Sequence, residues 1–206
     1  MKTLPVVAHT VLPTPLGDVR LAATARGVCG AWFVTQQRHA PEAAAVAAWP
    51  APEPAGQIRH PALAAAAQQL GRYFQGQGQE GFALPLDLSA GTAFQQAVWQ
   101  ALLGIGPSQA QSYAEVAARM GRPAAVRAVG LAVGANPISI IVPCHRVLGA
   151  GGQLTGFGGG LARKVALLRH EGWRIDLPAG QAPTRTLRAW PARSQGQQLA
   201  FWGMDT

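Results

Sequence analysis

Cysteine is scarce in this chain, with two in 206 residues, Cys29 and Cys144. Two distant cysteines do not make a disulfide framework. Four well-placed nitrogen or sulfur ligands are the usual minimum for structural zinc. With two cysteines in the chain, neither a structural metal nor any cofactor is expected. No apolar run reaches the roughly 18 residues of a membrane span. The start, Met1-Lys2-Thr3-Leu4-Pro5, lacks the apolar core of a signal peptide. No internal repeat is visible. These absences predict a soluble protein of a reducing compartment, where a free thiol survives.

Acidic side chains are also few. Nine Asp and Glu stand against seventeen Lys and Arg, for a formal net charge of +8. The imbalance is uneven. Residues 1–90 carry six cations against five acids, a balance of +1, and residues 91–206 carry eleven against four, a balance of +7. A basic second half suits a polyanionic partner, because phosphate contacts release counterions. A solvated basic surface would read the same way on charge alone.

The periodicities predict two units and an extension. Residues 4–34 read as hairpin material, with apolar stretches at Val6-Val7-Ala8, Val19-Arg20-Leu21 and Val28 to Val34. Turn signals at Pro13–Asp18 and Ala25-Arg26-Gly27 separate them. Residues 40–57 read as irregular or partly helical. Pro61 to Phe74 carries an apolar stripe and stops at Gly76. Phe82 to Leu88 alternates like a short edge strand.

A linker at Ser89-Ala90-Gly91 precedes two capping boxes, Thr92-Ala93-Phe94-Gln95 and Ser112-Tyr113-Ala114-Glu115. Pro123 opens a third helix, so the turn Met120-Gly121-Arg122-Pro123 predicts a helix-turn-helix. The run Ile138-Ser139-Ile140-Ile141-Val142 reads as a buried strand stopped by Pro143. A further helix runs from Leu161 to His170. The expected division is 1–90, 91–173 and a poorly packed or docked extension, 174–206.

The chemistry gathers at Pro143-Cys144-His145-Arg146. A thiol attacks as thiolate, and a nearby base or cation makes the thiolate accessible. Cys29, in an apolar run, suits an inert core thiol. Sequence neighbours do not face each other on a helix or strand, so a bridging water would connect Cys144 to His145.

With Asn136-Pro137 before this motif, Thr155-Gly156-Phe157-Gly158-Gly159-Gly160 after it, and Leu167 to Gly172 closing the block, residues 92–172 resemble the O6-alkylguanine-DNA alkyltransferases. The likeness is to the bacterial stand-alone, Ogt-like members. Thr14-Pro15-Leu16-Gly17 also fits the family pattern.

The resemblance implies an α/β (α+β) fold. A small antiparallel sheet with helices, ribonuclease H-like, would precede a winged-helix-like helix-turn-helix domain. It implies a suicidal DNA repair protein that moves an alkyl group from O6-alkylguanine in duplex DNA onto its own Cys144. Whether O4-alkylthymine also reacts is left open. A cytoplasmic monomer that does not engage membranes is expected.

By the same resemblance, Glu171 orients His145, and Asn136 supports the cysteine loop. Tyr113 donates to guanine N3. Arg127 fills the hole left by the flipped base, on a helix whose Ala124, Ala125, Ala128 and Gly130 lie close to DNA. Val147 and Cys144 offer carbonyls to the guanine amino group. Phe157, Gly158, Ser139 and Lys164 complete the pocket, with Lys164 placing Tyr113 or the cysteine loop. His170 is expected to be a solvated helix end.

The segment Ile105-Gly106-Pro107-Ser108-Gln109-Ala110 departs from the family's pattern, which leaves the approach to Tyr113 open. Other classes fit less well. A non-catalytic lesion binder would replace Cys144, and a fused regulator would need a cysteine cluster that the chain lacks. A cysteine hydrolase stays formally open.

Overall fold

The computed structural model describes residues 2–35, 38–77, 81–178 and 180–191. Three strands form an antiparallel meander, β1 (Ala8–Leu12), β2 (Val19–Thr24) and β3 (Gly27–Phe33). β1 starts two residues later than the first apolar stretch suggests and continues to Leu12. Ala8 pairs with Ala23, and Val19 pairs with Phe33 across the second ladder.

A short helix, α1 (Ala43–Ala47), lies in the Ala/Pro segment. The longer α2 (Pro61–Phe74) starts on Pro61, whose missing N–H costs nothing at a first turn. Its Leu63, Ala66 and Leu70 are buried against the sheet. Phe82–Leu88 is not a strand. It keeps a single parallel bridge, Leu86 to Val28.

The second half opens with α3 (Ala93–Leu103) and α4 (Tyr113–Arg119), and both capping boxes form as read. Gln95 N–H donates to Thr92 Oγ1 at 3.3 Å, and Glu115 N–H donates to Ser112 Oγ at 3.2 Å. After Gly121, a 3-10 turn at Pro123–Ala125 leads into α5 (Val126–Gly134). Two-residue strands β4 (Gln111–Ser112) and β5 (Val147–Leu148) pair in parallel. Helix α6 (Leu161–His170) buries Val165, Leu167 and Leu168.

One apolar core runs through both halves, from Leu21 and Phe33 to Trp99, Val129 and Leu167. The Trp99 indole N–H donates to the Ala132 carbonyl at 2.8 Å, which keeps its buried nitrogen satisfied.

The apolar run before the cysteine corrects the reading above. It is a buried turn, with only Ile138 bridged to Ala31 of β3. Ala31 N–H donates to Pro137 O, and Ser139 N–H donates to Ala31 O, each at 2.9 Å. Val142 N–H closes the turn on Ile138 O at 2.9 Å. Ile140 sits at φ +71°, a region that a β-branched residue enters only under constraint from its surroundings.

The extension is docked as far as Pro191. Strand β6 (Trp173–Ile175) pairs antiparallel with β7 (Ala189–Pro191). Ile175 and Ala189 are buried with Leu154 and Leu168 in a second cluster. Burial of these apolar side chains is the reason that poor packing does not hold here. Residues 192–206, part of the expected extension, lie outside the described residues.

Candidate active site

The cysteine loop is set by Asn136, which follows α5. Its Oδ1 accepts the Ile138 N–H at 3.0 Å. Its Nδ2 donates to Val142 O at 2.9 Å and to Cys144 Sγ at 3.0 Å. These partners fix which end of the amide is which. An N–H aimed at sulfur favours the thiolate. Burial pushes the Cys144 thiol up, against the Asn136 hydrogen bond and the Lys164 charge, and the net direction is upward. The resting group is a thiol, and it needs a base.

Cys144 opens a 3-10 turn, Cys144–Arg146, followed by β5. His145 is fully buried, and its Nε2 lies 2.8 Å from Glu171 Oε1. An ionised carboxylate only accepts, so Nε2 carries the proton. The lone pair is then on Nδ1, which is buried without a hydrogen-bond partner among the described residues. Burial holds the imidazole below its ordinary pKa, against the pull of Glu171. A neutral imidazole with a free Nδ1 is a base held in one tautomer.

Glu171 is held by more than His145. Arg146 donates from Nε to Oε2 at 2.9 Å and from Nη2 to Oε1 at 2.8 Å. The Tyr73 hydroxyl adds a bond to Oε1 at 2.9 Å. Burial would raise this carboxyl, but His145 and Arg146 outweigh it and hold it at about 2. Tyr73, from α2, and the engagement of Arg146 escaped the sequence reading. Tyr73 and Glu171 are 98 positions apart, and no local pattern joins them.

Lys164 is not a surface lysine. It is fully buried, and its Nζ donates to Val147 O at 2.6 Å. Burial brings its pKa down to about 8, against the attraction of Cys144. The carbonyl assigned to the guanine amino group is therefore already engaged, although a carbonyl keeps a second lone pair.

The Tyr113 hydroxyl meets Thr155 Oγ1 at 2.7 Å, and burial raises its pKa, so it holds its proton at neutral pH. Gly130 of α5 packs on this ring, where an added Cβ would sit 3.7 Å from Cδ1. Phe157 stands edge-on to His145, ring centres 6.4 Å apart. Gly158 lends its carbonyl to Arg38 N–H at 2.7 Å. Ser139 is buried within the cysteine turn.

Ala124, Arg127 and Ala128 are exposed, while Ala125 and Gly130 are half-buried. The fold thus brings Cys144, His145, Asn136, Lys164 and Glu171 together and leaves Arg127 on the exposed face of α5. His170 is not simply solvated. Its Nε2 lies 2.5 Å from Tyr73 O, and its ring packs on Tyr73.

Residues 93–173 match the DNA-binding domain of 6-O-methylguanine DNA methyltransferase, and residues 7–88 match the ribonuclease-like domain of the same family. Crystalline O6-methylguanine methyltransferase of Mycobacterium tuberculosis is 43% identical, with a TM-score of 0.68 over 80% of this chain and 92% of that one.

The chain belongs to the 6-O-methylguanine DNA methyltransferase family.

The M. tuberculosis member solved in complex with DNA is 44% identical, with a TM-score of 0.70 and coverage of 80% and 93%. The methylated-DNA–protein-cysteine methyltransferase of Mycobacterium leprae is 59% identical over 110 residues. That stretch is 53% of this chain and 66% of the M. leprae protein. The Salmonella typhimurium methyltransferase of the same name is 60% identical over 87 residues, 42% of this chain and 51% of that protein. The fold is the one that family membership implies, a small antiparallel sheet with helices followed by a helix-turn-helix.

Proposed function

We propose that this chain repairs O6-alkylguanine in duplex DNA by taking the alkyl group onto Cys144, once per molecule. The observation that carries this is a buried thiol, bonded by Asn136, beside an imidazole with only Nδ1 free.

In the first step the Cys144 proton passes through one water to His145 Nδ1. The imidazolium that forms is matched by the Glu171 carboxylate, as in other nucleophile–base–orienter arrangements. The Asn136 N–H and the Lys164 charge stabilise the thiolate. The sulfur pair then forms the S–C bond while the C–O6 bond breaks, leaving its electrons on guanine. Tyr113 donates a proton to N3, held in line by Thr155. One proton is lost by sulfur and one is gained by guanine, so His145 and Tyr113 return to rest by exchange with solvent. The thioether has no route back to thiol.

Arg127, with Ala124, Ala125, Ala128 and Gly130 around it, occupies the space of the extruded nucleotide. Extrusion costs a few kcal/mol, least for a damaged pair. Backbone N–H groups near Gly158 approach O6, Phe157 and Ser139 bound the pocket, and the Cys144 and Val147 carbonyls select guanine. Action in the cytoplasm fits a thiol that must stay reduced. Among the described residues, no helix is long and apolar enough to cross a membrane.

The test is intact mass after incubation with duplex carrying O6-methylguanine. One cysteine should gain about 14 Da, and turnover should then stop. Cys144→Ala should gain nothing yet still bind duplex. A mark on Cys29, or many lesions repaired per molecule, overturns the proposal. Cys29 is a poor acceptor, since burial raises its thiol to about 12.

A further inference from the structure

The extension beyond residue 173 lies outside the family match, yet it returns to the loop that carries Thr155, the partner of the Tyr113 hydroxyl. Leu154 N–H donates to Leu187 O at 2.7 Å, and Gln153 bridges antiparallel to Arg188. Two glycines permit the approach. At Gly152, φ is +77°, and a Cβ would meet the Ala189 carbonyl oxygen at 2.6 Å. At Gly151, a Cβ would lie 3.4 Å from Arg188 Nη1. Farther along the same loop, a Cβ on Gly156 would lie 3.8 Å from Arg185 Nη2.

Gly156 follows Thr155, whose hydroxyl holds the Tyr113 phenol. Tyr113 therefore has the Arg127 helix against its ring and the Arg185 segment near its hydroxyl end. Arg185 and Arg188 are both exposed, and neither pairs with a described group. Among the described residues of this half, the acids that could neutralise them are occupied. Glu115 closes a capping box, Glu171 is buried in the relay, and Asp176 pairs with Arg174 at 3.1 Å. Two guanidinium groups without an acidic partner among the described residues thus stand beside the loop that carries Thr155. Guanidinium suits phosphate, which it can bind through two parallel bonds.

We propose that Arg185 and Arg188 form a second phosphate grip, supplied by the C-terminal extension, that holds the duplex backbone on the loop side of the pocket. It deepens the reading above, because it rests on duplex DNA docking beside Tyr113.

The measurement is affinity for unmodified duplex as a function of salt, using the full chain. Each lost phosphate contact removes about 0.9 from the slope of log affinity against log salt. The double variant R185Q/R188Q should lower that slope by about 1.8. R185K/R188K should restore it, because it keeps both charges. A Gln variant with the wild-type slope overturns the grip. So does a Lys variant as weak as the Gln one, which would assign the arginines a shape role. The binding assay uses no lesion. A wild-type chain that binds duplex but never gains alkyl mass sinks the repair reading and leaves this one standing.

Discussion

At Glu171, three residues from two distant parts of the chain converge on two carboxylate oxygens. His145, Arg146 and Tyr73 all reach Oε1. The tyrosine competes with the imidazole for that oxygen. Tyr73→Phe keeps the ring and removes the competing donor, so Oε1 becomes a stronger acceptor for His145 and the imidazolium is favoured. The rate of Cys144 alkylation by a free modified base, followed against pH, should then rise at higher pH than in wild type, because the imidazole must shed its proton before it can act as the base. An unmoved profile would mean that the tyrosine only fills space. Charge pairing at the same carboxylate also enters stability. The folded pKa of about 2 lies below the ordinary 4.5, so this contribution is fully present above about pH 4.5. It fades as pH falls through about 2. Glu171→Gln removes the dependence and leaves Arg146 buried without its counter-charge, a loss of about 3–5 kcal/mol. Denaturant melts of both proteins between pH 2 and pH 5 check the window and the loss.

Among the elements, the proposed function divides the labour between the Arg127 helix, on DNA, and the cysteine turn, on chemistry. Arg127 is exposed and makes no bond to the relay residues among the described contacts. Arg127→Ala should slow repair of duplex at least about tenfold more than reaction with a free modified base, about 1.4 kcal/mol of barrier. Single-turnover rates on the two substrates decide it, and equal losses would point to a folding role. The helices were legible because their signals are local. Thr92 with Gln95 and Ser112 with Glu115 announce their helix starts within four residues. The stretch Ile138–Val142 was not legible as a turn. A short apolar run does not separate strand from buried turn by periodicity. The turn that holds Ile140 at positive φ is tied by Pro137 and Ser139 to Ala31, more than a hundred positions away. The cysteine, its neighbour His145 and Asn136 share one short segment and could be read together. Tyr73 and the buried state of Lys164 exist only after folding.

On the scale of the whole molecule, the extension is a structural strand as well as a carrier of charge. A chain ending at Leu177 loses β7 and uncovers Ile175 and Leu154. Its melting temperature should fall by several degrees, at about 2–4 °C per kcal/mol for a chain of this size. Transfer to Cys144 from a free modified base should stay within about tenfold, because no relay residue lies past Glu171. Calorimetry and single-turnover rates on that shortened chain test both halves of the statement.

Helix α6 also reaches back across the molecule. Arg163 donates to Leu16 O at 2.9 Å, to Thr35 O at 2.9 Å and to Gly159 O at 3.0 Å. Its guanidinium lies 4.4 Å above the Phe33 ring. The next residue is Lys164, bonded to Val147 O, and the helix is capped by Glu171, which the Tyr73 hydroxyl bonds. Anyone exchanging one half of this chain for that of a relative would therefore be transplanting matched sets. Leu16, Phe33 and Thr35 travel with Arg163, and Tyr73 travels with Glu171. A hybrid that separates either set should fold its sheet and its helices yet misplace the lysine and the carboxylate together, so that compatibility between halves is written in these few side chains.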